Sequence, residues 1–297
     1  MRPRLSLAPI QYFWPREQVF AFYRQVAEWP VDLVYLGENV CAKRRQLREA
    51  DWQELVAFLS AAGKQVVLSS LLLISAGSEL ATLRRLCSQR DYPVEVNDLA
   101  GAQLREGAPF VAGPGINLYN VRAMKRLAAA GMVRWVLPVE LGERECRALH
   151  DARPSGVETE VTVFGRPGLA HSARCFTARA HDLAKDECGF RCLEDPAGEL
   201  LRTRNGEPFL NINGIQLQPA APFSLLAELP ALAEIGVEWL RLYPEAEGMA
   251  EVVAAFDAVR RGEADPQTEA ARLDAMLPLA PGNGFWHGEP GMARVPC

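Results

Sequence analysis

Residues 32–41 read DLVYLGENVC, a short apolar run that ends at a glycine and is followed by a polar loop with a cysteine. Such a run is typical of a short buried strand, and Gly37 is a residue type that ends one. Helices are predicted on both sides, over residues 15–29, where apolar residues recur at helical spacing, and over residues 51–62, which Gly63 follows. The stretch therefore predicts a helix–strand–helix unit whose cysteine lies on the loop after the strand.

The same alternation of short strands and helices continues along the chain. Further strands are predicted over residues 5–10, 65–70, 92–97, 110–113, 133–139, 157–164, 210–215 and 239–243, and further helices over residues 78–89, 99–106, 121–130, 143–151, 248–260 and 266–276. At least six βα units without a break in composition indicate an α/β fold, a single TIM-like (β/α) barrel over residues 1–297. An open doubly wound sheet is the alternative, but no strand is followed by the G-x-G-x-x-G turn of a dinucleotide site.

The composition excludes some classes of protein. Of the 297 residues, 49% are hydrophobic and 23% are charged, and the formal net charge of −5 argues against a large nucleic-acid-binding surface. The basic run at residues 43–45 is interpreted as a solvated helix face. The most apolar run, residues 66–76, is shorter than the ~20 residues that span a bilayer. No signal peptide is recognised in residues 1–11, so we expect a soluble, cytoplasmic protein.

The cysteines indicate a metal site. Seven cysteines without an export signal favour metal or redox chemistry over disulfides. Three of them, Cys175, Cys188 and Cys192, form the pattern C-x12-C-x3-C, which lets one local fold direct several thiolates to one point. Zinc and iron–sulfur sites normally take four protein ligands. Our candidate for the fourth is Cys41, because it and the run both follow predicted strands and so lie on the same rim of the barrel.

The run is predicted to lie in an insertion late in the barrel, at about residues 166–207, with a hairpin turn over residues 204–207. The other cysteines have simpler interpretations. Cys87 and Cys146 fall in predicted amphipathic helices and are interpreted as small core residues. Cys297 ends the chain and is a poor ligand candidate.

Spacing alone leaves both a zinc site and an iron–sulfur cluster open. Local zinc sites usually have paired C-x2–4-C knuckles, and only Cys188 and Cys192 are that close. A long helical excursion between Cys175 and Cys188, together with a distant fourth cysteine, favours the iron–sulfur cluster. His171 and His181 flank Cys175 and are weaker candidates for ligands.

Polar residues also follow the predicted strands, where a barrel collects its functional groups. The candidates for a substrate pocket on this rim are Asn117, Tyr119, Glu140 and Arg166. Simpler interpretations exist for the rim. Asn97-Asp98 suits a helix N-cap, Asn117 and Asn120 suit a turn with Asn120 as the next N-cap, and Glu140 suits an ion pair with a neighbouring arginine. No catalytic residue is identified, and no Ser/His/Asp order or H-E-x-x-H motif supports a hydrolase.

Several motifs, spread along nearly the whole chain, carry a resemblance to a known family. They are LGENVCAKRR (36–45), GPGINLYN (113–120), LPVELG (137–142), VFGRPGLAHSARCF (163–176), GVEWLRLYPE (236–245) and NGFWHGEPG (283–291). With the spaced Cys188 and Cys192, they make the sequence resemble the collagenase-like (UbiU/UbiV) family of iron–sulfur proteins, formerly classed as peptidases. The combination of ENVC with C-x12-C-x3-C is specific, whereas each motif alone is weak.

The resemblance implies a [4Fe–4S] cluster, with Cys41, Cys175, Cys188 and Cys192 at the positions of the family's four cysteines. It further implies a heterodimer with a UbiU-like sister protein for dioxygen-independent ring hydroxylation in anaerobic ubiquinone biosynthesis. The substrate would be a prenylated aromatic ubiquinone precursor, presented with the help of a lipid-carrier accessory protein. Other members hydroxylate RNA bases or are classed as peptidases, and a non-catalytic scaffold that carries the cluster is a further alternative.

Overall fold

The computed structural model describes residues 2–296, so the interpretation of Cys297 lies outside the described residues. In chain order the strands are β1 (Arg4–Leu7), β2 (Leu33–Leu36), β3 (Gln65–Ser69), β4 (Val94–Val96), β5 (Phe110–Ala112), β6 (Met132–Val136), β7 (Glu158–Gly165), β8 (Ala170–His171), β9 (Glu199–Arg202), β10 (Pro208–Asn213), β11 (Gln216–Pro219), β12 (Phe223–Ser224) and β13 (Trp239–Leu242). The helices are α1 (Arg16–Glu28), α2 (Glu49–Ala61), α3 (Gly77–Ser88), α4 (Leu99–Leu104), α5 (Val121–Ala129), α6 (Glu143–Ala152), α7 (Phe176–Ala180), α8 (Leu229–Ile235), α9 (Met249–Arg261) and α10 (Pro266–Met276).

Strands β1 to β7 and β13 form a closed parallel barrel. Each of β1 to β6 pairs with the next strand in sequence, and β13 pairs with both β7 and β1. Helices follow most of these strands, as parallel connections require. The structure therefore confirms the predicted barrel rather than the open doubly wound sheet. Within residues 2–296, no helix combines the length and hydrophobicity needed to cross a membrane.

A second, antiparallel sheet is inserted between β7 and β13. Its strand order is β8-β11-β10-β9, and α7 and two short 3-10 turns lie between β8 and β9. The turn between β9 and β10 falls at residues 203–207, close to the predicted position. The sheet continues to Pro219, beyond the residue 207 at which the predicted insertion ends. The predicted strand over 210–215 stops at Asn213, because Gly214 and Ile215 form the tight turn to β11.

Several local predictions are confirmed. Cys87 and Cys146 are fully buried in the hydrophobic core, as expected for small core residues. The side chain of Asp98 accepts a hydrogen bond from the backbone of Ala100 and caps α4, and Asn120 caps α5 in the same way. The sequence did not predict α8, β8, β11 or β12, which are short elements without a clear period.

The interior of the barrel holds a buried ionic network. Arg241 on β13 lies 2.7 Å from Glu95 on β4 and 3.4 Å from Glu160 on β7, and all three side chains are inaccessible to solvent. The Tyr35 hydroxyl donates a hydrogen bond to Glu160, and Arg134 lies 3.7 Å from the same carboxylate. One arginine thus bridges two buried carboxylates from opposite parts of the barrel wall.

Replacing Arg241 with leucine should destabilise the barrel. The change leaves Glu95 without its cation in a dry interior, and breaking a buried pair in this way costs about 3–5 kcal/mol of the free energy of unfolding. Urea unfolding followed by circular dichroism measures the loss. Arg261→Leu is the control, since Arg261 is half-exposed at the end of α9 and its surface ion pairs are worth less than ~1 kcal/mol. Equal losses in the two variants would contradict a stabilising role for the interior network.

Candidate metal centre

Four cysteines line one cavity, between the loop after β2 and the inserted segment. They are Cys41, Cys175, Cys188 and Cys192, which are the four predicted ligands. The cations on the same cavity wall are Lys43, Arg44, Lys185 and Arg191. In the part of the chain that the structure describes, no three His, Cys, Asp or Glu side chains form a ready-made site for a single metal ion. The structure brings the four cysteines together around one space, and their role as ligands stays a prediction.

Cys41 is held by the tight loop that follows β2. The side chain of Glu38 accepts hydrogen bonds from the backbone nitrogens of Val40 (2.8 Å) and Cys41 (3.0 Å). The Arg44 nitrogen donates to the Cys41 carbonyl at 2.9 Å and closes the turn. Burial raises the pKa of the Glu38 carboxyl and that of the Cys41 thiol, while the backbone N–H of Lys43 donates to the thiol and opposes the second shift. The loop therefore presents Cys41 in a fixed and poorly hydrated position.

Cys175 caps the N-terminus of α7. Its sulfur accepts a hydrogen bond from the backbone nitrogen of Ala178 at 3.5 Å, and the residue is buried. Gly214, in the turn between β10 and β11, fixes the helix: its carbonyl accepts from the nitrogens of Phe176 (2.8 Å) and Thr177 (3.2 Å). Its own nitrogen donates to the Thr177 hydroxyl at 2.9 Å. The position of Cys175 thus depends on a hairpin about forty residues further along the chain.

Cys188 and Cys192 lie on two short 3-10 turns. The long helical excursion expected between Cys175 and Cys188 is only the five-residue α7 and the first of these turns. Cys188 ends the turn Lys185–Glu187, and Cys192 is within Arg191–Leu193. Lys43 connects this segment to the loop of Cys41, because its ammonium donates to the Lys185 carbonyl at 2.9 Å and to the Asp186 carboxylate at 2.6 Å.

Arg44 is a buried cation beside the cysteines. Only 5% of its surface is exposed, so the interpretation of residues 43–45 as a solvated helix face is wrong for this residue. Its guanidinium donates to two neutral oxygens, the Gln11 carbonyl (2.6 Å) and the Asn213 side chain (2.7 Å). No carboxylate of residues 2–296 forms an ion pair with it. Burial raises the pKa of the Cys192 thiol, and the adjacent Arg44 guanidinium opposes that shift.

The cavity fits a negatively charged, thiolate-bound cluster. A buried cation with only neutral partners is costly unless an anionic group lies beside it. Backbone N–H groups already donate to the sulfurs of Cys41 and Cys175, and hydrogen bonds of this kind are common at cluster-ligating sulfurs. Apolar side chains of Val40 and Ile215 pack with Cys175, and the partly buried Cys41 and Cys188 pack against them. Thiolate ligands of this kind select zinc or iron–sulfur clusters rather than oxygen-preferring ions.

The predicted pocket residues lie in two places. Tyr119 and Glu140 are together, with the Tyr119 hydroxyl donating to the Glu140 carboxylate, and both are exposed. Burial and this hydrogen bond raise the pKa of Tyr119 to about 12. Asn117 is exposed nearby in the chain, with a left-handed backbone (φ +53°) after a 3-10 turn. Arg166 makes its contacts with other groups, so the structure joins only Tyr119 and Glu140 directly.

Arg166 forms a cluster that the sequence did not predict. Its guanidinium lies 3.2 Å from the Glu245 carboxylate and 3.5 Å from the Tyr12 hydroxyl, which itself donates to Glu245 at 3.1 Å. Burial raises the pKa of both Glu245 and Tyr12. Tyr12 follows β1 and Glu245 follows β13. The rule that functional groups follow barrel strands would have identified both.

Comparisons with known proteins identify the family of this chain but not its reaction. The model of Peptidase family U32 matches residues 17–292. Among solved structures, the U32 peptidase Mk0906 is 13% identical, with 83% of this chain and 94% of that chain covered and a TM-score of 0.46. Dihydropteroate synthase (FolP) from Thermus thermophilus is 14% identical, with 86% and 94% covered and a TM-score of 0.40. Structural likeness this distant says nothing about the chemistry of the site.

Replacing Gly214 with alanine should disturb the site. Gly214 has a φ of +65°, and an added Cβ would lie 2.6 Å from a guanidinium nitrogen of Arg44. The left-handed backbone costs alanine about 1–2 kcal/mol, and the clash adds about 1–3 kcal/mol. Gly206→Ala is the matched control, because Gly206 (φ +85°) is in another turn of the same sheet with open space around it. Urea unfolding of the metal-free variants measures the difference, and an equal loss in both would contradict the close contact with Arg44.

Proposed function

Because this chain belongs to peptidase family U32, we propose that it is a UbiV-type iron–sulfur subunit within that family. It binds a [4Fe–4S] cluster and, with a UbiU-like sister protein, serves dioxygen-independent ring hydroxylation in anaerobic ubiquinone biosynthesis. The observation that carries the proposal is the convergence of Cys41, Cys175, Cys188 and Cys192 on one cavity from two distant parts of the chain. The proposed ring hydroxylation is inferred from the resemblance of the surrounding motifs to those of the family.

The four cysteines would hold the cluster, and their surroundings favour it. Cys41 and Cys175 receive backbone N–H groups, and Arg44 lies against Cys192. When bound through four thiolates, a [4Fe–4S] cluster has no open iron and supplies electron transfer rather than direct binding of the substrate. Ring hydroxylation without dioxygen requires such a path for electrons, in addition to an oxygen donor.

The residues of this chain that would orient the ring lie beside the cysteine cavity. Gln218 donates one hydrogen bond to the side-chain oxygen of Gln11 and another to the carbonyl of Arg166, each at 2.7 Å. The carbonyl of the same Gln11 receives Arg44 at 2.6 Å. The Arg166 cluster is thus connected through two glutamines to the cavity wall. Arg166 and Glu245 offer a donor and an acceptor to a polar ring substituent.

The other candidate pocket residues lie on the loops after β5 and β6. Asn117 and Tyr119 follow β5, and Glu140 follows β6. In a parallel barrel these loops lie on the same rim as the loops that follow β1, β2 and β7. The exposed Tyr119–Glu140 pair would meet the part of the substrate that remains outside the barrel. In this proposal, the prenylated precursor and the lipid-carrier accessory protein approach the barrel at the rim that carries Tyr119 and Glu140.

The cofactor can be identified directly. Anaerobic purification should give a brown protein with a broad absorption band near ~400 nm and about four iron and four sulfide per chain. A colourless protein with one zinc ion would contradict the proposal, because zinc has no redox chemistry. Co-expression with a UbiU-like sister protein and size-exclusion chromatography test the heterodimer.

Cys188→Ala should lose the cluster and anaerobic ubiquinone synthesis together. Removal of one of four thiolates weakens cluster binding, so we expect iron content and the ~400 nm band to fall about tenfold or more. Cys87→Ala is the matched control, since Cys87 is buried in the core away from the cavity, and it should keep its iron. Complementation of anaerobic ubiquinone synthesis provides the second readout. A Cys188→Ala protein that keeps both iron and activity would refute the ligand assignment.

A Cys188→Ala protein that still binds its sister subunit separates two roles of the cluster. If the assembled complex lacks ubiquinone synthesis, the cluster serves electron transfer. If the complex keeps ubiquinone synthesis without iron, the chain acts as a scaffold and the redox role is wrong. Peptide cleavage by the isolated, iron-free chain would instead support the peptidase alternative.

A further inference from the structure

The cations at the cysteine cavity differ in how their charge is balanced. Lys43 pairs with Asp186 at 2.6 Å, and Arg191 pairs with Glu194 at 2.8 Å, so each has a carboxylate partner near the protein surface. Arg44 is buried and forms no ion pair with any carboxylate of the described residues. Its positive charge therefore lies buried beside the cavity without a carboxylate in direct contact among the described residues.

The hydrogen bonds of Arg44 fix its orientation but do not neutralise its charge, because both acceptors are neutral oxygens. The two terminal nitrogens are anchored to the Gln11 carbonyl and the Asn213 side chain, whereas the buried Nε has no hydrogen-bond partner. The ring of Phe13 lies 5.7 Å from the guanidinium carbon on its π-face. Burial raises the pKa of the Glu38 carboxyl, and the Arg44 guanidinium opposes that shift. The Oε1 atom of Glu38 accepts two backbone N–H groups rather than a hydrogen bond from Arg44.

The hydrogen bonds of Arg44 do not explain why the residue at this position is charged. Anchoring to neutral oxygens alone would be served as well by an uncharged side chain, without the cost of burying a cation. A negative group in the cavity removes that cost. Cys192, which lies against the guanidinium, is the cysteine that brings such a group closest.

We infer that Arg44 is a positioning residue that makes the cluster easier to reduce, by placing a buried positive charge beside Cys192 on the cavity wall. The inference rests on the proposed function, because it concerns the cluster that the four cysteines would hold. Reduction takes up one electron from an external reductant, adds one negative charge and makes or breaks no bond. A buried cation at short range favours the more negative state, since solvent screens it weakly.

The test is an anaerobic potentiometric titration with dithionite as reductant, followed by electron paramagnetic resonance. Arg44→Gln removes the charge and keeps a side chain that can donate hydrogen bonds. We expect its midpoint potential to fall by about 59 mV or more, which corresponds to a tenfold smaller equilibrium constant for a one-electron reduction. Arg44→Lys keeps a charge but not the planar fork, so its potential should lie between those of Arg44→Gln and the unmodified protein.

Arg45→Gln is the matched control. It removes the same formal charge one residue further along, but Arg45 is exposed and its Nε only contacts the Ala42 carbonyl at 3.3 Å. Solvent screening should leave the midpoint potential of this variant almost unchanged. Equal potentials for Arg44→Gln and Arg45→Gln would overturn the inference, because the shift would then follow net charge alone.

The remaining outcomes also test the inference about Arg44. If Arg44→Gln does not load with iron, Arg44→Lys is compared with Arg45→Gln, and its potential must be the lower of the two. Loss of the cluster from both Arg44 variants would indicate a purely structural role and overturn the inference. An unmodified protein that binds no cluster would refute the proposed function itself, whereas a loaded protein with an unshifted Arg44→Gln variant would refute this inference alone.

Discussion

The backbone carbonyl of Gln11 is the contact on which the cysteine cavity depends. It accepts hydrogen bonds from Arg44 at 2.6 Å and from the side chain of Asn213 at 3.0 Å. Three distant segments thereby meet at one oxygen: the loop after β1, the loop after β2 and the hairpin of the inserted sheet. A carbonyl has two lone pairs, and both are used here in a buried setting. The geometry of the cysteines follows from this junction, since Arg44 closes the Cys41 turn and the hairpin holds the helix of Cys175.

Much of the architecture could be predicted from local signals. Strand and helix alternation, the capping residues Asp98 and Asn120, and the core positions of Cys87 and Cys146 all depend on neighbours within a few residues. The barrel follows from their repetition, because parallel strands joined by helices have few ways to close. The grouping of four cysteines on one rim was also predictable, since it needed only the rule that loops after barrel strands lie at the same end.

The charged residues that the structure buries could not be predicted in this way. Glu95, Glu160 and Arg241 occur singly in short strands, where an isolated charge normally indicates a solvent-facing position. Only closure of the barrel turns them toward one another. Arg44 stands between two other basic residues, which indicates a solvated surface, and only the hairpin turn at Gly214 covers it. In both places the burial depends on partners that are distant in sequence.

Closure of the barrel also sets the order in which the protein can fold during synthesis. β1, at Arg4–Leu7, pairs with β13, at Trp239–Leu242, so the pairing of β1 is incomplete until β13, far later in the chain, has been synthesised. Until then the growing half-barrel has two unpaired edges and an exposed ionic interior, the kind of state that aggregates or recruits chaperones. The cysteine-bearing sheet emerges before β13. The thiols of Cys175, Cys188 and Cys192 are therefore synthesised before the barrel that positions them can close.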